Sequence, residues 1–282
     1  MTLSDQGFLD LGDQRLEYRM IGPRPDLGPT LVLLHEGLGS AALWGDFPEK
    51  LSAETGAGVF VCSRAGYGQS SKVALPRTLG YMHDEGQKTL PRLLDAIGFR
   101  RGLLVGHSDG ASIAAIYAGS VQDHRVRGVA LIAPHFIVED VTIRAIAEFR
   151  DAYDHTDLRA RLSRWHADID HTAHGWSDVW LKNDFHTWDI SEFLAYIRVP
   201  LLILQGEDDH YGTIRQIEIA QDECYCPVEV AMLPRVMHAP HREAPADTLR
   251  IVAGFANRLL RDHVEAEYGA CTRMPDRTRG IG

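Results

Sequence analysis

Apolar residues along the chain follow two rhythms that take turns. Short apolar runs at 30–35, 59–63, 102–108 and 126–134, each bounded by Gly, Pro or a polar turn, have the length of strands buried on both faces. Between them, the segments 44–55, 80–97 and 109–120 repeat apolar residues at three- and four-residue spacing, which predicts helices. Strand followed by helix, repeated, predicts an α/β fold with a mostly parallel, doubly wound sheet. Residues 7–21 instead alternate polar and apolar about Gly12-Asp13, which predicts an antiparallel hairpin at the start.

The rhythm changes after Pro134. From 136 to 198, residues such as Ile143, Ile146, Phe149 and Tyr153 keep helical spacing and no strand run occurs, so a helical cap is expected after the sixth strand. Strand-like runs return at 199–206 and 228–233, with a helix-length segment between them and another over 244–261. The expected organisation is a core formed by 1–135 and 199–263, a cap at 136–198, and a flexible tail at 264–282 that carries no periodicity.

Composition narrows the classes of function. Of 282 residues, 45% are apolar and 24% charged, the balance of a globular protein with a large core. Lys+Arg number 29 against 39 Asp+Glu, and the resulting −10 repels a phosphate backbone, so no nucleic-acid partner is expected. No run approaches the roughly 20 apolar residues of a membrane span, and the first residues lack a basic segment followed by an apolar one. A soluble, cytoplasmic protein is expected, with Cys62, Cys224, Cys226 and Cys271 reduced, because four scattered cysteines make neither a disulfide framework nor a zinc site.

The strongest chemical signal is Gly106-His107-Ser108-Asp109-Gly110, a G-x-S-x-G segment directly after a strand and before a small-residue helix. Glycines on both flanks allow strand and helix to pack closely around a strained serine, whose hydroxyl then projects over a helix N-terminus. A serine hydroxyl is a weak nucleophile, so a base must lie within hydrogen-bond reach and an acid must hold that base in one tautomer. Downstream, Glu207-Asp208-Asp209 ends the strand run 199–206, and His238 lies in the loop after 228–233. The order serine, acid, histidine is therefore available, with either aspartate as the acid.

The segments LLHEGLGS, CSRAGYGQSS, VGHSDG, LQGEDD and MHAPHREAP, in that order over residues 7–263, resemble the α/β-hydrolase superfamily, in particular its cap-bearing esterases, lactonases and C–C hydrolases. The resemblance implies the α/β-hydrolase fold and a Ser-His-Asp triad of Ser108, His238 and Asp209, with Asp209 preferred over Asp208 by its place at the end of G-x-x-D. It also implies that Glu243 and Pro245 open the last helix, leaving His241 as a neighbour of the base. An oxyanion hole would use the N–H of Asp109 and one from Gly37 or Leu38. Relatives commonly carry glycine where this chain has Glu36, which puts a carboxylate at the mouth of the site as a substrate contact, unless it turns away to cap or to pair with Arg64. His107 is expected to pack rather than act as a base.

Trp165, Trp176, Trp180 and Trp188 and five histidines crowd into 136–198, which suggests an aromatic ceiling over the substrate, with Trp180 the first candidate. His166, Asp170 and His174 would share a face if one helix ran through them and could then hold a metal. A hydrated helix surface is the plainer reading, and no metal or cofactor is expected. The leading expectation is a cofactor-independent serine hydrolase for a small, apolar or aromatic ester or lactone. C–C bond hydrolysis of a ring-cleavage product and a non-catalytic ligand sensor are the alternatives, and a homo-oligomer is left open.

Overall fold

A computed structural model of the protein describes residues 3–269. Eight strands form one sheet: β1 (Gln6–Asp10), β2 (Arg15–Ile21), β3 (Thr30–Leu34), β4 (Gly58–Cys62), β5 (Gly102–His107), β6 (Val126–Ile132), β7 (Leu201–Gly206) and β8 (Val228–Leu233). Their order in space is β1-β2-β4-β3-β5-β6-β7-β8. The hairpin β1–β2 is antiparallel and β2 meets β4 antiparallel, whereas all pairings from β4 to β8 are parallel. β3, β4, β5 and β7 are buried at every position, as their unbroken apolar runs require of strands covered on both faces. Each strand lies within a residue or two of its expected place.

The helix Asp109–Ser120 has the expected limits. The long helix expected over 80–97 is interrupted: Tyr81–Asp84 is helical, Glu85–Thr89 is a wider π turn, and Leu90–Ala96 resumes. Pro91 has no N–H to return to the preceding turn, and the backbone loosens where that bond is missing. The last helix, Pro245–Gly269, passes the expected boundary at 263. The remainder of the expected tail, together with Cys271, lies outside the described residues, and Cys62, Cys224 and Cys226 are free thiols.

Residues 136–198 fall between β6 and β7 and are helical at Asp140–His155, Leu158–Ser163, Ile169–Trp180 and Ser191–Leu194. A single bridge, Ile137 to Asp189, closes the base of this insert. One core cluster lies on the β-sheet face that includes Val32, Phe60 and Leu104 and continues into the insert through Trp176, Trp180, Phe185 and Trp188. The other face packs Leu33, Val105 and Leu204 against Phe47, Leu51 and Phe255 of the helices Phe47–Thr55 and Pro245–Gly269. No helix among the described residues is long and apolar enough to cross a membrane.

The close approach around Ser108 has a steric cause. A Cβ on Gly106 would lie 2.3 Å from the carbonyl of Gly110, and one on Gly110 would lie 2.1 Å from the carbonyl of Leu34. Gly110→Ala is expected to destabilise the protein by about 3 kcal/mol, since backbone cannot yield as a flexible side chain can. Gly80→Ala meets open space and serves as the control. Thermal melts check this, and equal midpoints for the two variants would contradict it.

Candidate active site

The turn at Ser108 is left-handed, with φ 52° and ψ −118°, a backbone state that a non-glycine residue holds only when its surroundings impose it. Ser108 N–H donates to the Ile132 carbonyl at 2.9 Å, tying the turn to the end of β6. The hydroxyl thereby meets residues from the loops after β7 and β8. His238 Nε2 lies 3.0 Å from Ser108 Oγ, and His238 Nδ1 lies 2.9 Å from both carboxylate oxygens of Asp209. With Nδ1–H given to Asp209, Nε2 presents its lone pair to the hydroxyl, which is the arrangement that proton removal from serine needs.

Asp209 is held from two further sides, by the N–H of Tyr211 at 2.8 Å and that of Gly212 at 3.4 Å. Burial raises the carboxyl pKa, but the hydrogen bond and charge of His238 and the Tyr211 N–H outweigh it, and the pKa falls below the ordinary aspartate value. Asp208 is exposed and takes no part in this cluster. On the histidine loop, Glu243 accepts from the N–H groups of Met237 at 2.6 Å and Ala239 at 2.9 Å, so the residues on both sides of His238 are pinned by one carboxylate.

Ser108, Asp109, His238, Glu36, Gly37 and Leu38 all line one cavity of about 90 Å³. The insert contributes Thr142, Ile146, Trp176 and Trp180 to its walls, and the rest is His135 and Tyr211. Trp180 is thus part of the cavity wall, whereas Trp165 is exposed and Trp188 packs on Phe185. A larger groove of about 460 Å³, lined by Tyr117, Arg127 and Arg198, lies at the other edge of the sheet, away from Ser108. Among backbone groups of the described residues, the N–H of Gly37 and that of Leu38 have no partner, and Asp109 opens its helix with a free N–H, so all three expected donors are available to a ligand.

Glu36 does not pair with Arg64. Its carboxylate accepts from Arg242 at 3.0 Å and stands 3.5 Å from His107 Nδ1, while the Arg64 guanidinium holds the backbone carbonyls of His35 and Glu36. Burial raises the Glu36 pKa, yet His107, Arg242 and His241 together bring it well below the usual range. His107 does more than pack, because its Nε2 lies 2.8 Å from the His238 carbonyl and so holds the main chain of that residue. His241 is buried between Trp44 and His107.

His166, Asp170 and His174 do not share one helix, because the helix starts only at Ile169, capped by Asp168. Asp170 accepts from Arg159 and Tyr153, and no metal-binding group of His, Cys, Asp or Glu occurs among the described residues. Sequence reasoning gave no role to Tyr81, whose hydroxyl donates to Asp109 Oδ2 at 2.6 Å and accepts from Trp180 Nε1 at 3.0 Å. It also gave none to His135, a neutral imidazole in the cavity wall whose pKa burial pushes down to about 3. Both depend on contacts between distant segments, for which spacing carries no signal.

Comparisons with known proteins bear on the fold that carries this site. A family model described as alpha/beta hydrolase fold matches residues 29–164. Over 236 residues the chain is 25% identical to a 2-hydroxy-6-oxo-6-phenylhexa-2,4-dienoate hydrolase of Comamonas testosteroni, covering 72% of this chain and 77% of that protein. Among solved structures, an enol-lactonase from Burkholderia xenovorans superposes with a TM-score of 0.69 at 20% identity, covering 88% of this chain and 99% of the other. An esterase from a Rhodococcus species does so with a TM-score of 0.69 at 19% identity, covering 91% and 100%. The chain therefore has the α/β-hydrolase fold, and over residues 29–164 it matches the family model of that fold.

The buried histidines give the fold a defined response to acid. Burial lowers the pKa of His35, His135, His166 and His241 below 6.5, so between those values and 6.5 the unfolded chain binds more protons than the folded one. Their stabilising effect is present above about pH 6.5 and is lost as the pH falls. The lowered Glu36 and Asp209 act in the same sense below about pH 4.5, and the raised pKa of buried Glu85 opposes them. Urea midpoints are expected to fall steadily from pH 7 to pH 5, and a flat or rising profile over that range would contradict this assignment.

Proposed function

We propose that this protein is a cofactor-independent serine hydrolase that cleaves a small carboxylic ester or lactone through an acyl-enzyme. The observation that carries the reading is the unbroken line from Ser108 Oγ through His238 to Asp209, with links of 3.0 and 2.9 Å. In this mechanism His238 Nε2 takes the hydroxyl proton as Ser108 attacks the ester carbonyl, and Asp209 stabilises the imidazolium that forms. The N–H groups of Asp109 and of Gly37 or Leu38 receive the charge that develops on the carbonyl oxygen. The imidazolium then gives its proton to the leaving alcohol, and a water molecule activated by His238 releases the acid. Residues 136–198 act as a cap in this reading, their Ile146, Trp176 and Trp180 bounding the acyl group.

The cavity supports a small, largely apolar substrate, since about 90 Å³ leaves room for only a few carbon atoms beside the reacting carbonyl before the insert moves. C–C bond hydrolysis of a dienoate, the reaction named for the Comamonas relative, fits this cavity less well. Its lining includes Glu36 and Asp109 and no lysine or arginine to receive a substrate carboxylate. A non-catalytic sensor would have no need of a serine, base and acid kept in hydrogen-bonded register.

Short-chain p-nitrophenyl esters provide the test. Ser108→Ala is expected to lower kcat by about 10⁴-fold or more with the melting temperature preserved, and Asp209→Asn by about 10³- to 10⁴-fold. Wild-type rates in purified Ser108→Ala would reject the reading. Turnover of acetyl and propionyl esters is expected to exceed that of octanoyl esters, and the reverse order would reject the small cavity as the acyl site.

A further inference from the structure

His166 is 4% exposed and joins two loops of the core from the foot of the insert helix Ile169–Trp180. Its Nδ1 accepts the Gly68 N–H at 3.0 Å, which leaves the ring proton on Nε2, and Nε2 lies 3.1 Å from the Leu38 carbonyl that accepts it. Ten residues further on, Trp176 reaches the same loop. A Cβ on Gly37 would fall 2.1 Å from Trp176 Nε1, so Gly37 must be glycine for the indole to lie there. The indole N–H also points at Asp109 Oδ1 at 3.3 Å. Two side chains of the insert thus touch Gly37, Leu38 and Asp109, three residues that line the cavity and have free N–H groups.

The loop has reason to need this grip. Gly37 and Gly39 give the segment His35–Gly39 wide conformational freedom, and the Arg64 guanidinium fixes only its first two carbonyls. The third held carbonyl, that of Leu38, is held by His166 alone among the described side chains. Stabilisation of an oxyanion depends on donors already aimed before charge develops, and a displacement of about 1 Å costs on the order of 10²-fold in rate.

We propose that His166 and Trp176 are positioning residues for the oxyanion hole, so that docking of the insert on the core assembles the hole as well as covering the substrate. The proposal rests on the serine-hydrolase reading. Neither residue exchanges a proton with substrate; His166 acts through the Leu38 carbonyl, and Trp176 through its ring against Gly37 and its N–H on the Asp109 carboxylate. Hydrolysis then waits on the docked insert, and an ester that meets the core with the insert displaced finds a serine and base without a complete oxyanion site.

His166→Phe and His166→Gln test this with p-nitrophenyl acetate and two matched inhibitors: a trifluoromethyl ketone, which Ser108 converts to a tetrahedral adduct, and the corresponding methyl ketone. His166→Phe is expected to lower kcat about 10- to 100-fold with KM within about threefold, and to weaken the trifluoromethyl ketone by the same factor as kcat/KM. The methyl ketone should bind as before, and His166→Gln, which keeps a donor and an acceptor, should recover much of the loss. Should His166→Phe fail to fold, Trp176→Phe carries the same test, since it keeps an aromatic ring over Gly37 and removes the N–H to Asp109. Unchanged kcat, a change in KM alone, or equal weakening of both ketones would overturn the positioning role. If Ser108→Ala abolishes turnover and the His166 and Trp176 variants behave as wild type, only this inference falls; if Ser108→Ala remains active, the underlying reading falls with it.

Discussion

The left-handed backbone of Ser108 is the constraint on which the site depends. A residue with φ 52° between a buried strand and a helix start is stable only if that helix sits nearly against the strand. That in turn requires bare Cα atoms at Gly106 and Gly110. The same geometry aims the serine hydroxyl away from the sheet and brings the helix N-terminus, with its unpaired N–H groups and partial positive charge, beneath any oxygen that approaches it. Strain at one residue is thus exchanged for a fixed direction of its hydroxyl, set between the parallel neighbours β3 and β6 of β5.

Around this turn the loops are tied to one another and to the sheet. Glu36 of the first loop binds Arg242 of the last, Glu243 pins both neighbours of His238, and His107 holds the His238 carbonyl from the end of β5. On the acid side, Thr142 donates to the Tyr211 carbonyl, and Gln216 receives the N–H groups of Phe136 and Ile137. The start of the insert and the segment after Asp209 are therefore joined by side-chain-to-backbone bonds. Buried charges are retained here because each is paired: Asp109 is met by Tyr81, Trp176 and Arg64, all in a region with almost no access to water. Removing one partner from such a cluster leaves the other uncompensated, at a cost of about 3–5 kcal/mol.

What the sequence made legible follows the range of the interaction. The helix Asp109–Ser120 and the turn before it could be placed to the residue, because G-x-S-x-G states a local backbone requirement. The parallel strands were legible from unbroken apolar runs, and their order of appearance placed Asp209 and His238 on one edge of the sheet. Asp208 and Asp209 differ in burial, which one chain's spacing does not reveal, and only resemblance separated them. The alternative pairing of Glu36 with Arg64 failed because the actual partner, Arg242, is 206 residues away and Arg64, nearer in sequence, turned to backbone carbonyls instead. The same holds for His166, whose apparent spacing with Asp170 and His174 suggested a helix face but whose ring points into the core.

The central claim is that Ser108, and no other hydroxyl, is an activated nucleophile whose reactivity comes from His238. An alkyl fluorophosphonate reports this directly, since it forms a stable bond only with a hydroxyl that is deprotonated as it attacks. Peptide mass spectrometry after a short exposure should find one phosphonyl group, on Ser108, in the native protein and none in His238→Ala. An unlabelled native protein, a label on another residue, or equal labelling of His238→Ala would contradict the account.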